Sequence, residues 1–330
     1  MFNKKTLMLC AMIATLAAGC GGGAIAPTPA PTAAPVAVAS PTPASSPTAT
    51  PTLTVYTDSA NRKVSVFGIP QRIISLAPSN TEILFSLDLG KQVVGVDAFS
   101  DFPAEAKTLT QVGGSGNQFN FEQIVALKPG LVLAAGTTTP EAIKKLEDLK
   151  IPVAVIGTAS TTFDGVAANI ALVGQMTGRV DKAKSVTDAM KQKIDAIKTK
   201  AATAKMKPRV YWELDATDPT KPYSVGPGNF VNDIITAAGG TNIFGKVNNP
   251  FPQVTSESIV AANPEIIIMS DAAYGVTVDS LMKRNGWQVI LAVKNKTVHP
   301  IDDNLVSRPT ARVADGLEAA AKLIHPELFK

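Results

Sequence analysis

Cysteine is almost absent. The chain of 330 residues has only Cys10 and Cys20, both close to its start. Everything after them therefore has no disulfide, no thiolate nucleophile and no cysteine-based zinc site. Its stability has to come from apolar packing, and a hydrophobic content of 45% is enough for real cores. Histidine is as scarce: His299 lies in an expected strand beside Pro300, and His325 ends the last expected helix, where a cation favours the dipole. No HExxH, GxSxG, Walker or zinc spacing is present. Without a nucleophile–base pair the chain does not read as an enzyme, and no metal site is expected. An excess of one charge is missing too. The net charge is +4, and Lys4 and Lys5 fall in a segment expected to be removed. That leaves no electrostatic footprint for nucleic acid. The basic run near Lys191–Lys207 reads as the solvated face of a helix.

Residues 1–20 have the layout of a targeting signal. Lys4-Lys5 form a positive start and Thr6–Ala18 a short apolar core. A spanning helix needs about 20 apolar residues, so a cleaved signal is favoured over a permanent anchor. Leu16-Ala17-Ala18-Gly19-Cys20 resembles a bacterial lipobox, with Ala17 where leucine is usual, and implies lipidation of Cys20. Residues 21–53 are rich in Pro, Ala, Thr and Ser. Such a segment cannot bury enough apolar surface to fold, and its prolines favour an extended tether at ~3.1 Å per residue. The expected order is anchor, stalk, then globular body on the outer side of the cell membrane.

The body contains an internal echo. NFEQIVALKPGLVL at Asn120–Leu133 is matched by TSESIVAANPEIII at Thr255–Ile268, with Glu122 over Glu257 and Pro129 over Pro264. Each copy reads as a short capped helix, a proline stop and a buried strand. Leu131-Val132-Leu133 and Ile266-Ile267-Ile268 are apolar on both faces, as strands covered on both sides must be. LFSLDLGKQVVG at Leu84 is echoed by IITAAGGTNIFG at Ile234, in the same order. The fold class follows: α/β, with two similar lobes (residues 54–178 and 208–330) and a ligand cleft between them. Ala183, Val186, Met190, Ile194 and Ile197 recur at helical spacing between the echoes. They predict one long helix joining the lobes, within 179–207.

The strand RIISLA runs into Pro78-Ser79-Asn80-Thr81-Glu82, where Ser79 and Glu82 match a capping box. This junction is either an ordinary cap or a ligand site, because α/β folds bind ligands at the C-terminal ends of strands. The glycine-rich loop Gly113–Asn117 does not fit a phosphate loop. Phe99, Phe102, Phe119, Tyr223 and Phe251 lie in connecting loops, and together suggest a cleft with an apolar floor. Arg308 and Arg312 are candidates to meet an anionic group.

Arg72–Pro103, RIISLAPSNTEILFSLDLGKQVVGVDAFSDFP, resembles the first lobe of the periplasmic binding proteins for cobalamin and iron–siderophore complexes. FEQIVALKPGLVLA, FPQVTSESIVAANPEIII and SRPTARVADGLEAAAKLI are similar to further segments of that family. The resemblance covers about Val64 to Ile324. It implies a monomeric receptor that captures a metal chelate and delivers it to an ABC importer, a permease dimer with its ATPase subunits. Glu122 and Glu257 match two glutamates that dock on permease arginines. Phe99, Tyr223 and Phe251 match aromatics lining the corrin site of the cobalamin binders. Pro78-Ser79 match backbone that approaches the ligand, and Arg308 a cleft arginine. Two departures stand out: the Gly113–Phe119 loop has no tryptophan, and Asn304 stands where the cobalamin binder has an aspartate. Cobalamin is the first expectation as transported ligand, with no resident cofactor; a ferric siderophore or haem is the alternative.

Overall fold

The structure, a computed structural model, describes residues 52–114 and 118–330. The expected signal peptide, Cys20 and nearly all of the tether lie outside them.

The described chain opens with a hairpin, β1 (Leu53–Thr57) paired antiparallel with β2 (Lys63–Phe67). The buried Asp58 carboxylate holds its turn by accepting from the amides of Ala60 and Arg62, and ties it to the body through the amide of Val155.

Next come β3 (Ile73–Ser75), α1 (Pro78–Ser86), β4 (Val93–Val96), α2 (Phe121–Ala126), β5 (Leu131–Ala134), α3 (Pro140–Asp148), β6 (Val153–Val155) and α4 (Phe163–Met176). The strands form one parallel sheet in the order β4-β3-β5-β6. α5 (Val180–Ala201) follows. Beyond it lie β7 (Arg209–Asp215), β8 (Tyr223–Ser224), α6 (Phe230–Ala237), β9 (Thr241–Asn242), α7 (Ser256–Ala262) and β10 (Ile266–Met269). The chain closes with α8 (Val278–Met282), α9 (Leu291–Asn295), β11 (Val298–Pro300), α10 (Asp303–Val306) and α11 (Val313–Ile324). Here β7 pairs in parallel with β9 and β10, and β10 with β11. The path β9-β7-β10-β11 repeats β4-β3-β5-β6, so the sequence echo is a topological one. β8 is the addition, folding back antiparallel on the end of β7.

Local chemistry accounts for the repeated units. The side chains of Asn120 and Thr255 accept from the amides of Gln123 and Ser258, capping α2 and α7. Such caps contribute about 1 kcal/mol each. Lys128 and Asn263, the residues before the two prolines, have positive φ and end the helices. All four residues of β5 and of β10 are buried.

α5 runs for 22 residues, shorter than the expected 179–207 stretch. That is roughly 33 Å at 1.5 Å per residue. Ala183, Met190, Ile194 and Ile197 are buried, and Val186 is half-buried. α5 packs on α4 from one lobe and on α11 from the other. One apolar cluster passes from β3 and β5 through α4 and α5 to β7, α6 and α11.

One expected cap is not formed. Ala77 is the N-cap of α1, with extended backbone and no side-chain bond, and Pro78 occupies the first turn. Proline suits that position because its missing N–H would be unpaired there anyway. Ser79 therefore sits inside the helix, and Glu82 lies too far along to fold back on the cap.

Candidate functional site: an inter-lobe cleft

The C-terminal ends of the strands in both lobes border one cavity of about 720 Å³. From the first lobe it receives the β3–α1 junction and the loops after β4, β5 and β6. From the second it receives Phe251 and the segments after β10 and β11. Of the residues singled out from sequence, Pro78, Ser79, Phe99, Phe251, Asn304 and Arg308 line it. Tyr223 does not. It lies on β8, paired with Asp215 of β7, and is 45% exposed.

The Phe99 loop is set by buried hydrogen bonds. Asp97 accepts from the Phe99 amide at 2.9 Å and from the Ser100 hydroxyl. The Ser100 and Thr81 hydroxyls are 2.6 Å apart, and Thr81 donates to Ser75 on β3. Burial pushes the Asp97 carboxyl up, against the pull of these bonds. Phe99 itself is 58% exposed. The structure adds Tyr274 to the same cavity, 75% exposed, its hydroxyl donating to Asp303 at 3.1 Å. The negative charge of Asp303, with burial and that bond, raises the Tyr274 pKa.

The arginines are already engaged. Arg308 Nη1 donates to Glu82 Oε1 at 3.0 Å and to Asp101 Oδ1 at 2.6 Å. Arg312 Nη1 donates to the same Glu82 oxygen at 3.0 Å, and its guanidinium lies 3.9 Å from the centre of the Phe102 ring. The Thr310 hydroxyl donates to Glu82 Oε2. Burial opposes the charge on Arg308, but Asp101 and Glu82 outweigh it and raise its pKa. The Glu82 side chain is 2% exposed. Removing one partner from such a buried pair costs about 3–5 kcal/mol. A second cavity, about 370 Å³, borders the same network beside Phe85 and Phe102.

Glu82, Asp101, Tyr274 and Asp303 carry no sequence signal for this role. Glu82 and its partners lie more than 200 residues apart. The one available hint is that Tyr274 closely follows the echoed strand β10.

Glu122 and Glu257 are exposed, each the second residue of its helix. The second lobe holds a buried acidic pair, Glu213 and Asp271. Glu213 holds Arg284 through both carboxylate oxygens. Asp271 accepts from the Ala216 amide, while its other oxygen has no partner among the described residues. Burial and the charge of Glu213 push Asp271 up to about 7. Among the described residues no cluster of His, Cys, Asp and Glu is fit to hold a metal ion, and no helix is long and apolar enough to cross a membrane.

Two lobes of like topology, a long joining helix and a cavity at facing strand ends define a solute-binding protein. Residues 73–305 match the family described as periplasmic binding protein, and the chain belongs to it. It is a substrate-binding protein of the ABC importer type, not an enzyme. It is 33% identical over 276 residues to the Bacillus subtilis uncharacterized ABC transporter substrate-binding lipoprotein YvrC, covering 83% of this chain and 86% of that protein. It is 30% identical over 332 residues to a cobalamin-binding protein of Halobacterium salinarum, covering 97% and 84%. Among solved structures it resembles a possible iron-binding, periplasmic solute-binding protein of Staphylococcus epidermidis (31% identity, TM-score 0.69, 78% of this chain and 99% of that one). It also resembles the periplasmic vitamin B12 binding protein BtuF of Vibrio cholerae (27%, TM-score 0.66, 78% and 97%). A third likeness is to the periplasmic heme-binding protein RhuT of Roseiflexus sp. RS-1 (25%, TM-score 0.69, 78% and 98%).

Proposed function

We propose that this chain captures a corrinoid, with cobalamin as the first candidate, and hands it to an ABC importer. The carrying observation is the character of the cleft. Phe99 faces it from one lobe, Phe251 and Tyr274 from the other. Its one lining cation among the described residues, Arg308, is already bonded to Glu82 and Asp101. Aromatic walls whose one lining cation is already charge-paired suit a large, mostly uncharged ligand with apolar faces. The similarity to cobalamin-binding relatives supports this reading. A ferric siderophore or haem is the second reading, favoured by the likeness to iron- and haem-binding structures. Titration of the full chain with cyanocobalamin, haem and a ferric siderophore, followed by calorimetry, decides between them. Cyanocobalamin binding alone upholds the corrinoid reading; haem or siderophore binding alone replaces it.

Delivery follows from the two lobes. Glu122 and Glu257 stand at equivalent places, one per lobe, and suit paired arginines on a symmetric permease dimer. In this reading the receptor is monomeric, tethered by residues 21–53 and held on the outer face of the cell membrane through lipid on Cys20. Cys20→Ser then releases the chain from the membrane fraction; a chain that stays membrane-bound removes the lipid-anchor claim.

A further inference from the structure

Arg308, Thr310 and Arg312 belong to one stretch of the second lobe, between α10 and α11. All three converge on one side chain of the first, Glu82. Asp101, also of the first lobe, takes a second bond from Arg308. Two guanidinium groups thus meet two carboxylates. Glu82 is buried among them, whereas the Asp101 side chain is 44% exposed at the cavity wall. Arg308 lines the cavity, yet its Nη1 bonds point to protein carboxylates.

Charge compensation decides what such a wall accepts. A ligand carboxylate, catecholate or phosphate has to compete with two carboxylates already in place, and it meets the negative field of Asp101 on approach. An uncharged ligand faces no such competition. The network also crosses the cleft, so Arg308 is held by Glu82 only while the lobes stand in their present register.

We propose that Glu82 and Asp101 are selectivity-setting positioning residues: they hold the Arg308 guanidinium and withhold it from anionic ligands. The inference starts from the corrinoid reading and names what makes the cleft unfavourable to the competing ligand class.

The test compares haem, with its two propionates, across variants of the full chain. In Glu82→Gln, Arg308 loses one compensating charge and haem binds about tenfold tighter or more. Asp101→Asn produces a smaller gain of the same sign, and its half-exposed position makes it safe for folding. Adding Arg308→Gln to either variant abolishes the gain, and salt weakens it in the single variants. A defect in folding or lobe packing lowers affinity, so a gain reports the charge effect. Haem affinity unchanged or reduced in both single variants overturns the inference, as does a gain that survives Arg308→Gln. Cyanocobalamin is titrated beside it on the parent chain. Its failure to bind overturns the corrinoid reading and leaves the haem comparison between variants decisive for Glu82 and Asp101.

Discussion

Glu122 and Glu257 occupy the same step of two equivalent units, each the second residue of a short helix capped by the side chain just before it. Both are exposed, and neither forms an ion pair among the described residues. Their own contribution to stability is limited to the helix dipole, about 0.3–1 kcal/mol each. Glu122→Ala with Glu257→Ala is therefore expected to abolish uptake in cells while leaving ligand affinity and melting temperature nearly unchanged. Uptake at the parent rate in the double variant removes the docking role.

Phe99 is held by its loop but mostly uncovered. Phe99→Ala is expected to weaken cyanocobalamin binding by about 1–2 kcal/mol, roughly five- to thirtyfold in Kd. Stability should stay within about 0.5 kcal/mol. Calorimetry and a denaturant titration on one preparation separate the two effects.

Asp271 makes stability depend on pH. Its folded value, about 7, lies above the ordinary 3.8, so the folded protein keeps this proton longer than the unfolded chain does. Its contribution is full below the unfolded value and is lost as pH rises through about 7. Asp271→Asn should flatten that part of the stability profile. At pH 8 it should stabilise by on the order of 1–3 kcal/mol. An unaltered slope between acid and neutral pH excludes Asp271 as its source.

Trp287 is fully buried, stands edge-on to Tyr211 and donates its indole N–H to Ser256 at 2.6 Å. It fastens the segment after α8 to the start of α7. Trp287→Ala should cost about 3–5 kcal/mol, read as a shift in urea midpoint. Loss of uptake would follow if the Glu257 helix shifts with it.

The repeat carried much of the fold. Asn120 and Thr255 cap, Pro129 and Pro264 stop, and β5 and β10 are buried strands, because each of these depends on neighbours within a few residues. The site was legible only where a side chain's role is local or rests on resemblance, as for Pro78, Phe99 and Arg308. Ser79 and Glu82 satisfy a capping pattern in sequence that the structure does not form. Proline at the first helical position moved the cap to Ala77, and the true partners of Glu82 lie in the other lobe. Tyr223 reads as a cleft residue because it is an aromatic in a connecting loop and matches, by resemblance, an aromatic of the corrin site. The chain instead places it on β8, where it pairs antiparallel with Asp215 at the end of β7. Tyr274 has no periodic neighbours, and only its place soon after the echoed strand β10 points to it.

The apolar seam through α5 limits how this molecule can be recombined. Its side chains are contributed by α4 on one flank and α11 on the other. A chimaera that takes one lobe from a relative inherits only half of a matched surface, with the other half selected against different shapes. New ligand preferences are therefore easier to graft onto the loops that end the strands than to import as a whole lobe.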